Sequence, residues 1–94
     1  MIGYVYKTTN LITGRYYIGQ HHAEHFEPNK YLGSGAIIKA AIKKYGKDNF
    51  ECGLLYEAET QDELDKLEVY YIQLYQANNR EYGYNIQEGG LSKK

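Results

Sequence analysis

From Gly3 the residues alternate in character through Tyr4, Val5 and Tyr6, and after a polar stretch at residues 10–14 they do so again through Tyr16-Tyr17-Ile18-Gly19. Two short aromatic and β-branched runs around a loop containing Asn, Thr and Gly predict a β-hairpin. With Tyr6 opposite Tyr17, Tyr4 faces Gly19 and Thr8 faces Arg15 on one side of the sheet. Val5 and Ile18 pair on the other side, joined by Tyr16. The hairpin then has an apolar core face and a face carrying two phenols, an arginine and a glycine. That glycine leaves room beside the hydroxyls for something to approach. A slip of one residue would send one strand's side chains to the opposite face.

Residues 20–30 show no period and hold His21, His22, His25, Glu24, Glu27 and the single proline, Pro28. Tyr31-Leu32-Gly33-Ser34-Gly35 follows, with Ser34 expected to cap the next helix. Ile38, Ala41, Ile42 and Tyr45 recur at helical spacing, so a helix is expected over residues 36–45, stopped by Gly46. Lys39, Lys43 and Lys44 lie off its apolar stripe. Residues 49–56 read as a third strand. Thr60-Gln61-Asp62-Glu63 is a capping-box pattern, predicting a second helix that runs to about Ala77, with Leu64, Leu67, Tyr71, Leu74 and Tyr75 facing the core. Gly83-Tyr84-Asn85-Ile86 and Gly89-Gly90 close the chain in extended or irregular form. The expected fold is α+β, a small three-stranded antiparallel sheet flanked by helices in the order β-β-α-β-α.

One residue breaks the pattern. At 100° per residue Glu68 falls between Leu64 and Tyr75 on one side and Ile72 on the other, which places a carboxylate in the stripe meant for the core. An unpaired buried carboxylate costs several kcal/mol, so a positive partner is expected there. Either a divalent metal ion or a lysine or arginine would serve.

Composition narrows the classes. At 94 residues the chain is one domain at most. Its 11 Lys+Arg and 12 Asp+Glu nearly cancel. A nucleic acid would therefore be held by a local patch rather than by a general basic field. A single cysteine, Cys52, allows no internal disulfide and fits a reducing compartment. No apolar run is long enough to span a membrane, and the start lacks the regions of a signal peptide. The expected location is cytoplasmic, in a bacterial or phage-infected cell. His21-His22-x-x-His25 with Glu24 matches no strong zinc-ligand spacing, and Cys52 sits in an apolar strand where a cysteine belongs to the core.

The hairpin resembles the signature of the GIY-YIG nuclease superfamily. Val5-Tyr6 stands for the "IY" of the first half and Tyr17-Ile18-Gly19 for the "YIG" of the second, with Tyr4 in place of the first glycine, which sits one residue earlier at Gly3. The resemblance covers nearly all of residues 1–94 as one nuclease-like domain. It implies a metal-dependent DNA endonuclease that hydrolyses phosphodiesters, with Glu68, Tyr71 and Ile72 matching the arrangement around the family's metal-binding glutamate. Glu68 would hold Mg²⁺ or Mn²⁺. Tyr6 and Tyr17 would arrange the attacking water, with Tyr17 closer to the chemistry, and Asn85 would help order the site.

The chain departs from the family at one functional position. Many members carry an arginine ten residues beyond the second tyrosine, and here that residue is Glu27. Another cation must then neutralise the phosphate, since phosphoryl transfer depends on electrostatic stabilisation. His21, Arg15, Lys30 and Lys39 are the candidates, His21 because Gln20-His21 follows the signature glycine as in similar phage-type members. The expected partner is DNA, with no membrane, helped by a separate DNA-targeting domain or a homodimer. The competing reading is a non-catalytic module that binds nucleic acid or protein on the same fold.

Overall fold

The computed structural model describes residues 1–86. Strand β1 (Gly3–Asn10) is followed by β2 (Tyr16–His22), helix α1 (Ala36–Tyr45), strand β3 (Phe50–Ala58) and helix α2 (Gln61–Tyr75). The sheet is antiparallel throughout with β1 in the centre, in the order β2-β1-β3. This is the expected β-β-α-β-α arrangement. Gly89 and Gly90 lie outside the described residues.

The hairpin pairs two residues away from the expected register. Tyr6 lies opposite Gly19, Thr8 opposite Tyr17 and Tyr4 opposite His21. A shift of two keeps every side chain on its face, so the division into two faces survives. The turn sets the register. Asn10 Oδ1 accepts from the backbone N–H groups of Ile12 and Thr13, at 2.9 and 3.2 Å, and Asn10 N–H donates to the Arg15 carbonyl at 2.8 Å. The Asn10 side chain thus closes the turn, and its amide reaches the Tyr84 hydroxyl at 3.0 Å.

Both faces of the sheet are covered, against the expectation of one core face and one open one. Val5 and Ile18 pack with Leu64 and Ile72 of α2, Ala58 and Ala77. Tyr4, Tyr6 and Cys52 on the other face pack with Ile38 and Ala41 of α1, Leu32, Phe50 and Tyr84. A sheet between two helices buries apolar side chains on both sides, aromatic ones on the α1 side and aliphatic ones on the α2 side, each fully buried large apolar side chain contributing about 1.5–3 kcal/mol. On β3, Tyr56 and Leu54 pair with the adjacent residues Val5 and Tyr6, so Leu55 is the extra residue of a bulge.

Two helix ends differ from expectation. Gly35, not Ser34, is the N-cap of α1, and no side chain caps it. Thr60 caps α2, its hydroxyl accepting from Glu63 N–H at 3.1 Å, while the Glu63 carboxylate reaches back to Glu59 N–H at 2.7 Å. Helix α2 ends at Tyr75 because Gln76 turns left-handed, with φ 53°. Leu74, expected in the core, is exposed. At 100° per residue Leu74 falls outside the arc between Leu64 and Ile72, whereas Tyr75 falls inside it and still packs on this core.

The outer edge of β2 is closed by the chain beyond α2. Tyr16 N–H donates to the Tyr82 carbonyl at 3.1 Å, and Tyr84 N–H donates to the Tyr16 carbonyl at 2.8 Å. A free strand edge next to the signature residues is thereby removed.

Candidate active site

Three glycines shape the site around the two signature tyrosines. A Cβ on Gly19 would lie 2.7 Å from Tyr6 Cζ and 2.9 Å from Tyr17 Cε2, with the Tyr6 hydroxyl nearer still. The space that glycine was expected to leave open is filled by the Tyr6 phenol lying across it. A Cβ on Gly33 or Gly35 would sit 3.1 Å from the Tyr17 ring. Gly33 also has φ 135°, a backbone geometry that side-chain-bearing residues rarely adopt. The Tyr6 and Tyr17 rings are 6.2 Å apart at 44°. The small residues of Tyr31-Leu32-Gly33-Ser34-Gly35 thus serve close packing against Tyr17.

The two phenols differ in their surroundings. Tyr6 is only 1% exposed, and burial above all pushes its pKa far above the ordinary tyrosine value, helped by Tyr17, Tyr31, Cys52 and Glu68. Tyr17 is half-buried. Burial raises its pKa first and the Glu68 charge second, while the Gly35 N–H and the Ser34 hydroxyl at its oxygen oppose the rise. Glu68 therefore acts on both tyrosines from α2, although α2 covers the opposite face of the sheet.

Glu68 is half-buried and engaged. Its Oε1 accepts from Gln20 Nε2 at 2.9 Å, and the same amide nitrogen donates to Asp65 Oδ1, also at 2.9 Å. Gln20 alternates with His21 along β2, so it points to the α2 side, whereas His21 points to the side of the phenols. Sequence reasoning did not single out Gln20 or Asp65. The signal was present: Asp65 lies three residues before Glu68 and shares its helix face.

Among the candidate cations, His21 stacks on Tyr31 at 3.9 Å and 17°, and Tyr31 meets Tyr6 edge-on at 5.7 Å. Tyr4, His21, Glu24, Glu27, Lys30 and Tyr31 line an open pocket of about 410 Å³. Arg15 is exposed and lies in the turn just before β2, two residues from Tyr17. Lys30 Nζ lies 2.7 Å from Glu27, which also meets His25 at 3.7 Å, so Lys30 is already committed to a carboxylate. That hydrogen bond holds the Glu27 carboxyl below its usual range. Lys39 is on the exposed side of α1. His22 faces away from His21 and meets Gln61. Among the described residues, no three His, Cys, Asp or Glu side chains converge as a metal cluster.

Asn85 is 5% exposed and clasps the backbone between the signature residues. Its Oδ1 accepts from Ile18 N–H at 2.8 Å and its Nδ2 donates to the Ile18 carbonyl at 2.7 Å. The side chain does the work of a neighbouring strand and fixes the peptide that joins Tyr17 to Gly19. Asn85→Ala should lower stability by about 3 kcal/mol, because two buried backbone groups lose their partners. Urea unfolding would show this as a lower midpoint with an unchanged slope.

The raised pKa values also set an alkaline limit. For Tyr4, Tyr6, Tyr16 and Tyr17 burial is the leading cause. Folded-state values above that of the unfolded chain mean their contribution is complete below about pH 10 and is lost as pH rises beyond it. Tyr6, fully buried and with its pKa raised far above the ordinary value, should form a phenolate only as the fold opens. Phenolate absorbance followed together with circular dichroism would show a late step coincident with unfolding.

No family profile matches the sequence. Two relatives from Enterobacteria phage T4 do. "Putative endonuclease segE" is 42% identical over 91 residues, covering 97% of this chain and 43% of its own length. "Putative endonuclease segD" is 45% identical over 65 residues, covering 69% of this chain and 29% of its own length. The chain therefore spans less than half the length of these relatives. Among solved structures, a variant of the catalytic domain of intron endonuclease I-TevI matches with a TM-score of 0.74 at 21% identity, over 96% of this chain and 98% of that one. No helix among the described residues is long and apolar enough to cross a membrane.

Proposed function

Because the chain belongs to the GIY-YIG nuclease superfamily, in signature and in fold, we propose that it is a DNA endonuclease domain hydrolysing phosphodiesters with the help of one Mg²⁺ or Mn²⁺ ion. The supporting observation is that Glu68 of α2 meets the signature strand, its Oε1 accepting at 2.9 Å from Gln20, the residue after Gly19, and that its charge contributes to the raised pKa of both phenols.

The donors fit such a cation. Glu68 offers hard carboxylate oxygen, with Asp65 three residues away on the same helix face, and hard oxygen is what Mg²⁺ and Mn²⁺ select. Glu68 would hold the ion. When bound, the ion supplies Lewis-acid stabilisation of the charge developing on the phosphate. The Tyr17 hydroxyl, held by Gly35 N–H and Ser34, positions the attacking water and takes part in its proton transfer. Tyr6, buried and protonated, braces Tyr17 and fixes the ring against Gly19. His21, kept in place by the Tyr31 stack, and Arg15 would meet phosphate oxygens where the family arginine is replaced by Glu27.

The comparisons lend no support to a homodimer or a separate targeting domain. The test is cleavage of supercoiled plasmid with and without Mg²⁺ or Mn²⁺. Metal-dependent nicking supports the nuclease. DNA that is bound and left uncut under every metal and salt condition would mean a binding module.

A further inference from the structure

A network outside the signature residues converges on Glu68. Gln20 Nε2 donates to Glu68 Oε1 and Asp65 Oδ1, each at 2.9 Å. Gln20 Oε1 accepts from Gln61 Nε2 at 2.9 Å, and Gln61 Nε2 also donates to Asp65 Oδ1 at 2.9 Å. The carbonyl oxygen Oε1 of Gln61 meets His22 Nε2. These bonds fix the orientation of both amides. Turning the Gln20 amide over would set its oxygen against two carboxylates and its nitrogen against another amide nitrogen. Both protons of each amide are used, and each amide oxygen has a partner. His22 must then carry its proton on Nε2.

We infer that Gln20 is a positioning residue for Glu68, holding the carboxylate by one oxygen so that the group is oriented for a divalent cation before the cation arrives. The inference rests on the reading of Glu68 as the metal-holding residue. Gln20 suits the task for a reason visible in the strand. It follows Gly19 directly, and alternation turns it from the phenols toward α2, so one peptide links the glycine packed against Tyr6 and Tyr17 to the clamp on Glu68. Its amide is neutral, so it orients the carboxylates without bringing a positive charge of its own to the site. A lysine there would pair with the carboxylates and compete with the ion. Partners of this kind, which orient a ligand without touching the metal, typically change metal affinity 10–100-fold when removed.

The test is Mn²⁺ binding by the whole chain, read from the loss of the free-ion electron paramagnetic resonance signal, alongside thermal unfolding. Gln20→Met keeps the length and volume of the side chain and removes both donors. About tenfold weaker Mn²⁺ binding, at the lower end of that range, with an unfolding temperature close to that of the native chain, is expected. If Q20M is poorly folded, Gln20→Asn keeps an amide that is one methylene too short to span both carboxylates and should show the same weakening. Glu68→Gln is measured in parallel. If E68Q binds more weakly than the native chain and the Gln20 variants bind as the native chain does, Gln20 is only a structural bridge. If E68Q also binds as the native chain does, the reading of Glu68 has failed and the role of Gln20 fails with it.

Discussion

Glu68→Gln is expected to reduce metal-dependent DNA cleavage by about a thousandfold. Lewis-acid stabilisation of transition-state charge is worth several kcal/mol, and each 1.4 kcal/mol is a factor of ten in rate. Glutamine has nearly the same shape, so the fold should be undisturbed. It removes the charge, and it sets an amide where Gln20 Nε2 now donates to Oε1 at 2.9 Å. Single-turnover cleavage at saturating Mn²⁺, with circular dichroism to confirm folding, measures the effect. Raising Mn²⁺ further should not restore the native rate.

Tyr17→Phe should cost about 10²–10⁴ in the cleavage step while leaving DNA affinity nearly unchanged. The ring stays in its cradle against Gly33 and Gly35, since only the hydroxyl is deleted. The Gly35 N–H and Ser34 hydroxyl lose a partner, and a loss of about 1 kcal/mol in stability follows. The decisive comparison is between the single-turnover rate and the dissociation constant for an uncleaved duplex. A fall in both by the same factor would mean that the phenol binds substrate rather than taking part in the reaction.

The contrast between these two residues also explains what could be read before the structure. Alternation along the hairpin told which residues share a face, because the strand period is two. It could not tell a register from one displaced by two residues, since both put Tyr4, Tyr6 and Tyr17 on the same side. The choice was made by Asn10, whose side chain closes the turn through Ile12 and Thr13. Glu68 stood out because a carboxylate interrupts an apolar stripe. Its neighbour Gln20 did not, for a glutamine after a strand glycine carries no pattern of its own. Its significance comes from α2 packing across the β2 edge, which is a tertiary fact. Leu74 misled for a local reason: at 100° per residue it lies off the arc from Leu64 to Ile72, while Tyr75, one residue on, lies within it and stays packed. Asn85 was singled out only by the family resemblance, and its pair of hydrogen bonds to the Ile18 backbone is a tertiary contact that no local pattern announces.

The most direct check is to locate the cation. Mn²⁺ added to protein with isotopically labelled tyrosine rings broadens nuclear magnetic resonance signals steeply with proximity. The account predicts that the Tyr17 ring is broadened first and Tyr6 with it, while Tyr45 at the far end of α1 and the exposed Tyr56 on β3 stay sharp. The effect should disappear in Glu68→Gln. Broadening centred on Tyr56 or Tyr45 with Tyr17 unaffected would place the ion elsewhere and contradict the proposed site.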